Sequence, residues 1–125
     1  MNALRRIHAA LVTGGVLIDA QPVSQRPTVD TSARRAGTLD MRDWGRIIHA
    51  VDERVTETIE GGLWMNEGEH SYVVTDTFQS GDELIDTVKT WHGTRVPEAL
   101  AGRLRADEGP AYVHQDVRLR VLRAL

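Results

Sequence analysis

Cysteine is absent from all 125 residues. That excludes disulfide scaffolds, thiolate zinc ribbons, iron–sulfur clusters and cysteine nucleophiles. No apolar run approaches the ~18 residues of a spanning helix, so no membrane span is expected. Basic charge is not in excess either: 15 Lys and Arg stand against 18 Asp and Glu, a net charge of -3. Bulk charge therefore argues against a nucleic-acid binder. There is no Gly-x-Gly-x-x-Gly and no serine in a nucleophile elbow. Arg5 and Arg6 precede a mildly apolar stretch from Ile7 to Ile18. His8, Thr13, Gly14 and Gly15 interrupt it, and no small-x-small cleavage site closes it. It reads as part of the fold, and the chain as a cytoplasmic protein.

What is present is ordinary globular composition. Apolar residues make 41% and charged residues 26%, enough for one packed core in a single domain, residues 1–125. Leu4, Ile7, His8 and Leu11 predict an amphipathic helix from Ala3 to Val12, ended by Gly14-Gly15. Val16-Leu17-Ile18 reads as a short strand covered on both faces. Gln21 to Leu39, broken by Pro22 and Pro27, reads as a long surface loop. Asp40 is placed to cap a helix whose apolar stripe is Trp44, Ile47, Ile48, Val51, Val55 and Ile59, stopped at Gly61-Gly62.

Glu69 to Phe78 is β-rich. Ser80 and Glu83 form a capping box opening a helix with Leu84, Ile85, Val88 and Trp91. Pro97 begins a short helix with Leu100 and Leu104, and Gly109-Pro110 is a turn. The closing segment alternates. Val113, Val117, Leu119 and Val121 are expected inside, with Gln115 the polar intruder. His114, Asp116, Arg118 and Arg120 are expected on a wet face.

The helix Ala3-Leu4-Arg5-Arg6-Ile7-His8-Ala9-Ala10-Leu11 followed by Val12-Thr13-Gly14-Gly15-Val16-Leu17-Ile18 resembles the approach to the fifth strand of class I S-adenosylmethionine-dependent methyltransferases. Asp116-Val117-Arg118-Leu119-Arg120-Val121-Leu122 is similar to their final antiparallel strand. The resemblance implies an α/β fold, the C-terminal half of a Rossmann-like methyltransferase. It would have a small mixed sheet of about three strands with helices packed mainly on one face. It also implies that the last strand lies between the fifth and sixth. The family's cofactor glycines belong to its other half, so no cofactor-binding residue is assigned here. S-adenosylmethionine would be bound only if a partner chain supplied the site. With its neighbour missing, Val16-Leu17-Ile18 would be an open, apolar edge. A homodimer through that edge is the expectation, with a different partner protein as the other way to cover it.

Several groups are candidates for chemistry, and none is assigned a catalytic role. Asp19, Gln21 and Arg26 are placed after the C-terminal end of the first strand, where open α/β sheets bind ligands; the plainer reading is a solvated loop. Trp91, His92 and Arg95, with Thr94, could hold an anionic or planar ligand; otherwise Trp91 packs in the core and Arg95 pairs with an acid. His114 and Asp116 share a strand face, but two ligands do not make a metal site, and no metal is assigned. Glu67, Glu69 and His70 read as an exposed turn. Arg118, Arg120 and Arg123 read as a solvated basic face, as do Arg34 and Arg35. Trp44 reads as core. The function these expectations favour is a non-catalytic methyltransferase-like module that self-associates and binds a small ligand or partner chain. The alternatives are the substrate-binding subunit of a split methyltransferase, or a remnant without selected activity.

Overall fold

The computed structural model describes residues 3–125. Along them run α1 (Ala3–Ala10), β1 (Val16–Pro22), β2 (Thr28–Thr31), β3 (Arg35–Thr38), α2 (Arg42–Glu60), β4 (Trp64–Phe78), α3 (Gly81–Val88), α4 (Glu98–Ala106) and β5 (Ala111–Ala124). The fold is α/β, built on one open sheet of five strands whose pairings are all antiparallel, not on the mixed sheet expected.

β5 is the strand every other part of the sheet depends on. β4 pairs along one flank, from Trp64 opposite Ala124 to Phe78 opposite Ala111. The other flank is shared. β1 takes the far half, Val16 opposite Arg123 to Pro22 opposite Val117. β2 takes the near half, Thr28 opposite His114 to Thr31 opposite Ala111, and β3 extends the sheet beyond β2. Two neighbours therefore divide one flank of a strand long enough to hold both.

The expected three strands become five because the loop predicted over Gln21–Leu39 contains β2 and β3. Thr28, Val29 and Thr31 have β-favouring side chains, but four residues are too few for a legible alternation. Their strand character comes from the free near half of β5. Pro27 sits just before β2 and is fully buried, and its carbonyl accepts from Leu39 N at 2.9 Å. Proline is tolerated there because it is not asked to donate to a ladder.

The helices lie on both faces of the sheet, not mainly on one. Side chains alternate along a strand, so odd and even residues of β5 belong to opposite faces. Ala111 and Val113 are buried on the odd face, in a core with Leu84, Ile85 and Val88 of α3 and Leu100 and Leu104 of α4. Leu122 and Ala124 are buried on the even face, in a second core with Trp64 and Val55. Leu4 of α1 and Val51 and Ile59 of α2 pack against that second core. The buried face of β5 thus changes sides midway. The prediction that Val113, Val117, Leu119 and Val121 share one interior holds for Val113 alone; the other three are half-buried. The predicted wet face carries Arg120, which is buried.

Local signals explain the helix starts and stops. Ser80 Oγ accepts from Glu83 N at 3.1 Å, and Glu83 Oε2 accepts from Gln79 N at 2.6 Å, so the Ser-x-x-Glu pattern satisfies two orphan donors. Gly81 permits close approach of α3 to α4: a Cβ there would stand 2.2 Å from the Leu104 carbonyl oxygen. α2 begins one residue later than Asp40 would place it, with Met41 at the cap. Asp40 Oδ1 still accepts from Arg42 N at 3.1 Å. No helix among the described residues is long and apolar enough to cross a membrane.

Candidate functional site

Three features stand out: the edge of β1, a ladder of buried charge beside it, and an aromatic crevice at its end. β1 has one strand neighbour, β5, and its other edge has no strand partner among the described residues. It is not covered on both faces as predicted. Val16 and Ile18 are exposed, Ile18 at 60%, because no helix lies over the odd face there. Val117, Leu119 and Val121 of β5 and Tyr72 of β4 continue this apolar face. On the even face a cleft of about 370 Å³ runs along β1 between α1 and α2. Leu4, Ile7, Leu17, Val51 and Val55 make its apolar walls, and Asp19, Gln21 and Arg54 its polar rim. α1 has no buried residue, so it flanks the cleft without filling it.

The ladder ties β1, β5 and α2 together. Arg120 Nη2 lies 2.6 Å from Asp19 Oδ2 and 3.0 Å from Asp52 Oδ1. Arg118 donates to both carboxylate oxygens of Asp52, at 2.6 and 3.0 Å. Gln21 Nε2 donates to Asp19 Oδ1 at 3.1 Å. Arg118 Nε is buried without a hydrogen-bond partner and has Glu69 Oε1 3.6 Å away. The hydrogen-bonded Asp52 carboxylate holds the Arg118 guanidinium more firmly charged than usual, against the opposing effect of burial. Arg118 and Arg120 are therefore not a solvated basic face. Arg123 pairs with Glu67 and donates to the Gly14 carbonyl at 2.7 Å. Glu67, Glu69 and His70 lie in β4, not in a turn, and Glu67 sits where its register shifts.

Asp19 and Gln21 belong to β1 itself and do not follow it. They are bound to each other and to the ladder. Arg26 lies in the exposed loop after β1 and lines neither the cleft nor the crevice. Its charge helps hold the Asp40 carboxyl below its usual range, after the larger effect of the hydrogen-bonded Arg42 guanidinium.

The crevice, about 330 Å³, is lined by Pro22, Met41, Trp44, Trp91, His92 and Gln115. It joins the C-terminal end of β1, the first turn of α2 and the turn after α3. Trp44 Nε1 donates to the Pro22 carbonyl at 3.0 Å, which fixes its indole. Gly93 has φ +63°, and a Cβ on it would stand 2.5 Å from Trp44 N. Only glycine allows that approach, and Trp44 N donates to the Gly93 carbonyl at 3.2 Å. Asp40 and Arg95 exchange backbone hydrogen bonds at 3.0 and 2.8 Å, a second fastening of the same turn. Arg95 pairs with Asp43 at 3.4 Å and stays outside the crevice. Of the predicted ligand residues, the structure brings Trp91 and His92 together beside the end of β1. Trp91 packs against the first core, as its plainer reading had it, and so does Trp44, read as core; Trp44 is half-buried and also forms a crevice wall. Its distance of 47 residues from Trp91 left no local signal; Gly93 was the available clue.

His114 and Asp116 diverge. His114 Nδ1 is 2.8 Å from Thr75 Oγ1 and its Nε2 2.9 Å from Asp30 Oδ2, whereas Asp116 Oδ2 accepts from Ser24 Oγ at 3.2 Å. Arg35 also binds Asp30, at 2.9 Å, and with His114 holds that carboxyl below its ordinary value. No group of three His, Asp or Glu among the described residues is placed to hold a metal ion. No family model matches the chain, and no curated protein matches it.

Proposed function

We propose that the chain is a methyltransferase-like module without a cofactor site of its own, and that it associates with a second copy of itself through the edge of β1. The observation that carries this reading is the state of β1. Among the described residues its outer N–H and C=O groups have no strand partner, Val16 and Ile18 are exposed on the face that carries no helix, and the cleft beside it is walled by apolar side chains. Open, apolar edges are templates for another strand, and the Val16–Ile18 part of this one carries neither charge nor proline. A twofold pairing of two such edges closes both at once. The methyltransferase-like part of the reading is supported by strand order: β5 lies between β1 and β4 and is antiparallel to both, as the resemblance expects of its last three strands. β2 and β3 are additions that the resemblance does not include.

Light scattering on a size-exclusion column is the test. The expected result is a particle of twice the 13.9 kDa chain mass, reduced to a monomer by Ile18→Lys, which charges the exposed face without touching a core. A wild-type monomer at all concentrations overturns self-association. Calorimetry with S-adenosylmethionine is expected to show no binding, and a micromolar dissociation constant would remove the cofactor-free reading. A second reading, the substrate-contacting subunit of a split methyltransferase, is favoured by the crevice at the C-terminal end of β1, where open sheets place their ligands. Restoration of cofactor binding by a co-purified partner distinguishes it.

A further inference from the structure

We propose that the crevice at the end of β1 binds a neutral, planar aromatic ring bearing an N–H or O–H donor. The inference rests on the crevice itself and holds whether or not the β1 edge is paired.

The walls choose the shape. The chain has three Trp, two Tyr and one Phe, and two of those six rings meet here, with Met41 buried at the base. Flat indole walls reward a flat guest, and a thioether adds favourable contact with a ring. A volume of about 330 Å³ is at the small end for ligand pockets and suits one or two fused rings.

The polar groups choose the substituent. Gln115 is 8% exposed, and its Nε2 donates to Asp76 Oδ2 at 3.2 Å. A carboxylate can only accept, so the amide nitrogen must face Asp76. The amide oxygen is left over as an acceptor without a protein donor. The His92 imidazole and the Trp91 indole N–H make no hydrogen bond to the described residues. A guest N–H or O–H meets the Gln115 oxygen, and a guest acceptor meets Trp91 or His92. Apart from the imidazole, no ionisable side chain lines the crevice; the nearby Arg95 and Asp43 are paired with each other, and Asp76 is bound to the Gln115 amide and is not part of the lining. A charged guest would lose hydration with no counter-charge to meet it, which selects a neutral one.

The crevice is held in place before any ligand arrives. Trp44 is anchored to Pro22, and the Gly93 turn is fastened to α2 by Trp44 N and to Asp40 by Arg95. Little ordering cost remains on binding.

The test is nuclear magnetic resonance of the three indole N–H groups during titration with indole and, separately, 4-methylphenol. Both probes are expected to shift Trp91 and Trp44 saturably, with dissociation constants below about 1 mM. Trp64, 1% exposed in the other core, is the internal control and should not move. His92→Ala alters an exposed side chain and leaves the fold intact; it is expected to weaken both probes about threefold. Trp91→Leu removes a wall and should weaken them about tenfold, with a thermal melt verifying that it folds. Cyclohexanol, which has the donor without the flat ring, is expected not to bind. The proposal is overturned if neither aromatic saturates by about 10 mM, or if tetramethylammonium binds more tightly than both, which would mark a cation cage. It is also overturned if both variants bind like the wild type.

Discussion

The two halves of β5 are held by different physics. Around Ala111 and Val113, eleven other buried residues from β2, β3, β4, α3, α4 and their connections form a continuous apolar core. Around Leu122 and Ala124, only Val55 and Trp64 among the described residues join them as fully buried apolar residues, and the neighbours from α1, β1 and α2 are half-buried. What replaces packing there is charge: Arg120 and Asp19, with side chains 8% and 12% exposed, and Arg118 clamped on Asp52. The first half is stabilised by the amount of apolar surface removed from water, at about 25 cal/mol per Å². The second depends on geometry, because a buried ion pair contributes only while every partner is present. The first half is therefore a self-sufficient core, and the second is a sparse core held by paired charge beside an open strand edge.

The sharpest way to break the contrast is in the first core. Leu104→Ala removes a fully buried side chain between α3 and α4 and is expected to cost about 4 kcal/mol in chemical denaturation. A loss under about 1 kcal/mol would mean that this core is as loose as the other. Next comes the ladder. Arg120→Met leaves the Asp19 carboxylate without its cation while Asp52 keeps Arg118, and is expected to cost about 3 kcal/mol, most of it returned when Asp19→Leu is added. Failure of the double variant to recover would show that packing, not charge, governs that end. Leu17→Ala, half-buried between the second core and the cleft, should cost about 1 kcal/mol or less. Amide exchange is expected to follow the same order, slow in α3 and α4 and fast in α1.

The smallest effect is acid sensitivity. Arg35, with His114, holds the Asp30 carboxyl below its ordinary value, and the Asp40 and Glu67 carboxyls are lowered by Arg42 and Arg123. A depressed folded value means that the contribution is present above the unfolded pKa. It is lost as pH falls through the folded one, so acid loss belongs below about pH 4. These pairs are exposed on the arginine side, so solvent screening keeps the contribution of each to stability small. Arg35→Ala is expected to raise the acid midpoint slightly, and an unchanged midpoint would remove Asp30 from the account.

The sequence made the parts with their own periodicity legible. The Ser80 cap of α3 is there where the spacing puts it, and so is most of the stripe on α2, where Ile48 and Val55 are buried and Trp44, Val51 and Ile59 half-buried, while Ile47 is exposed. β2 and β3 were not legible, because four residues each carry no pattern of their own: β2 is held by β5, some eighty positions away, and β3 only by β2. Arg120 was misplaced for a related reason. Reading β5 as one buried face and one wet face is sound for a strand with one core, and this strand has two. Gln115 was the warning. A polar residue inside the supposed apolar row marked the place where that row was about to leave the interior. The crevice shows the same boundary: Trp91 and His92 were legible as a pair, but the wall opposite them came from another helix.

The change of sides along β5 has a consequence for misfolding. A slip of this strand by a single position against its neighbours would push Tyr112 and His114 toward one interior and Val121 and Arg123 toward the other, while Ala111, Val113, Leu122 and Ala124 turned out to water. An error at either end is therefore punished at both, so the strand is keyed like a bolt threaded in two plates, and neither plate can be tightened in the wrong position.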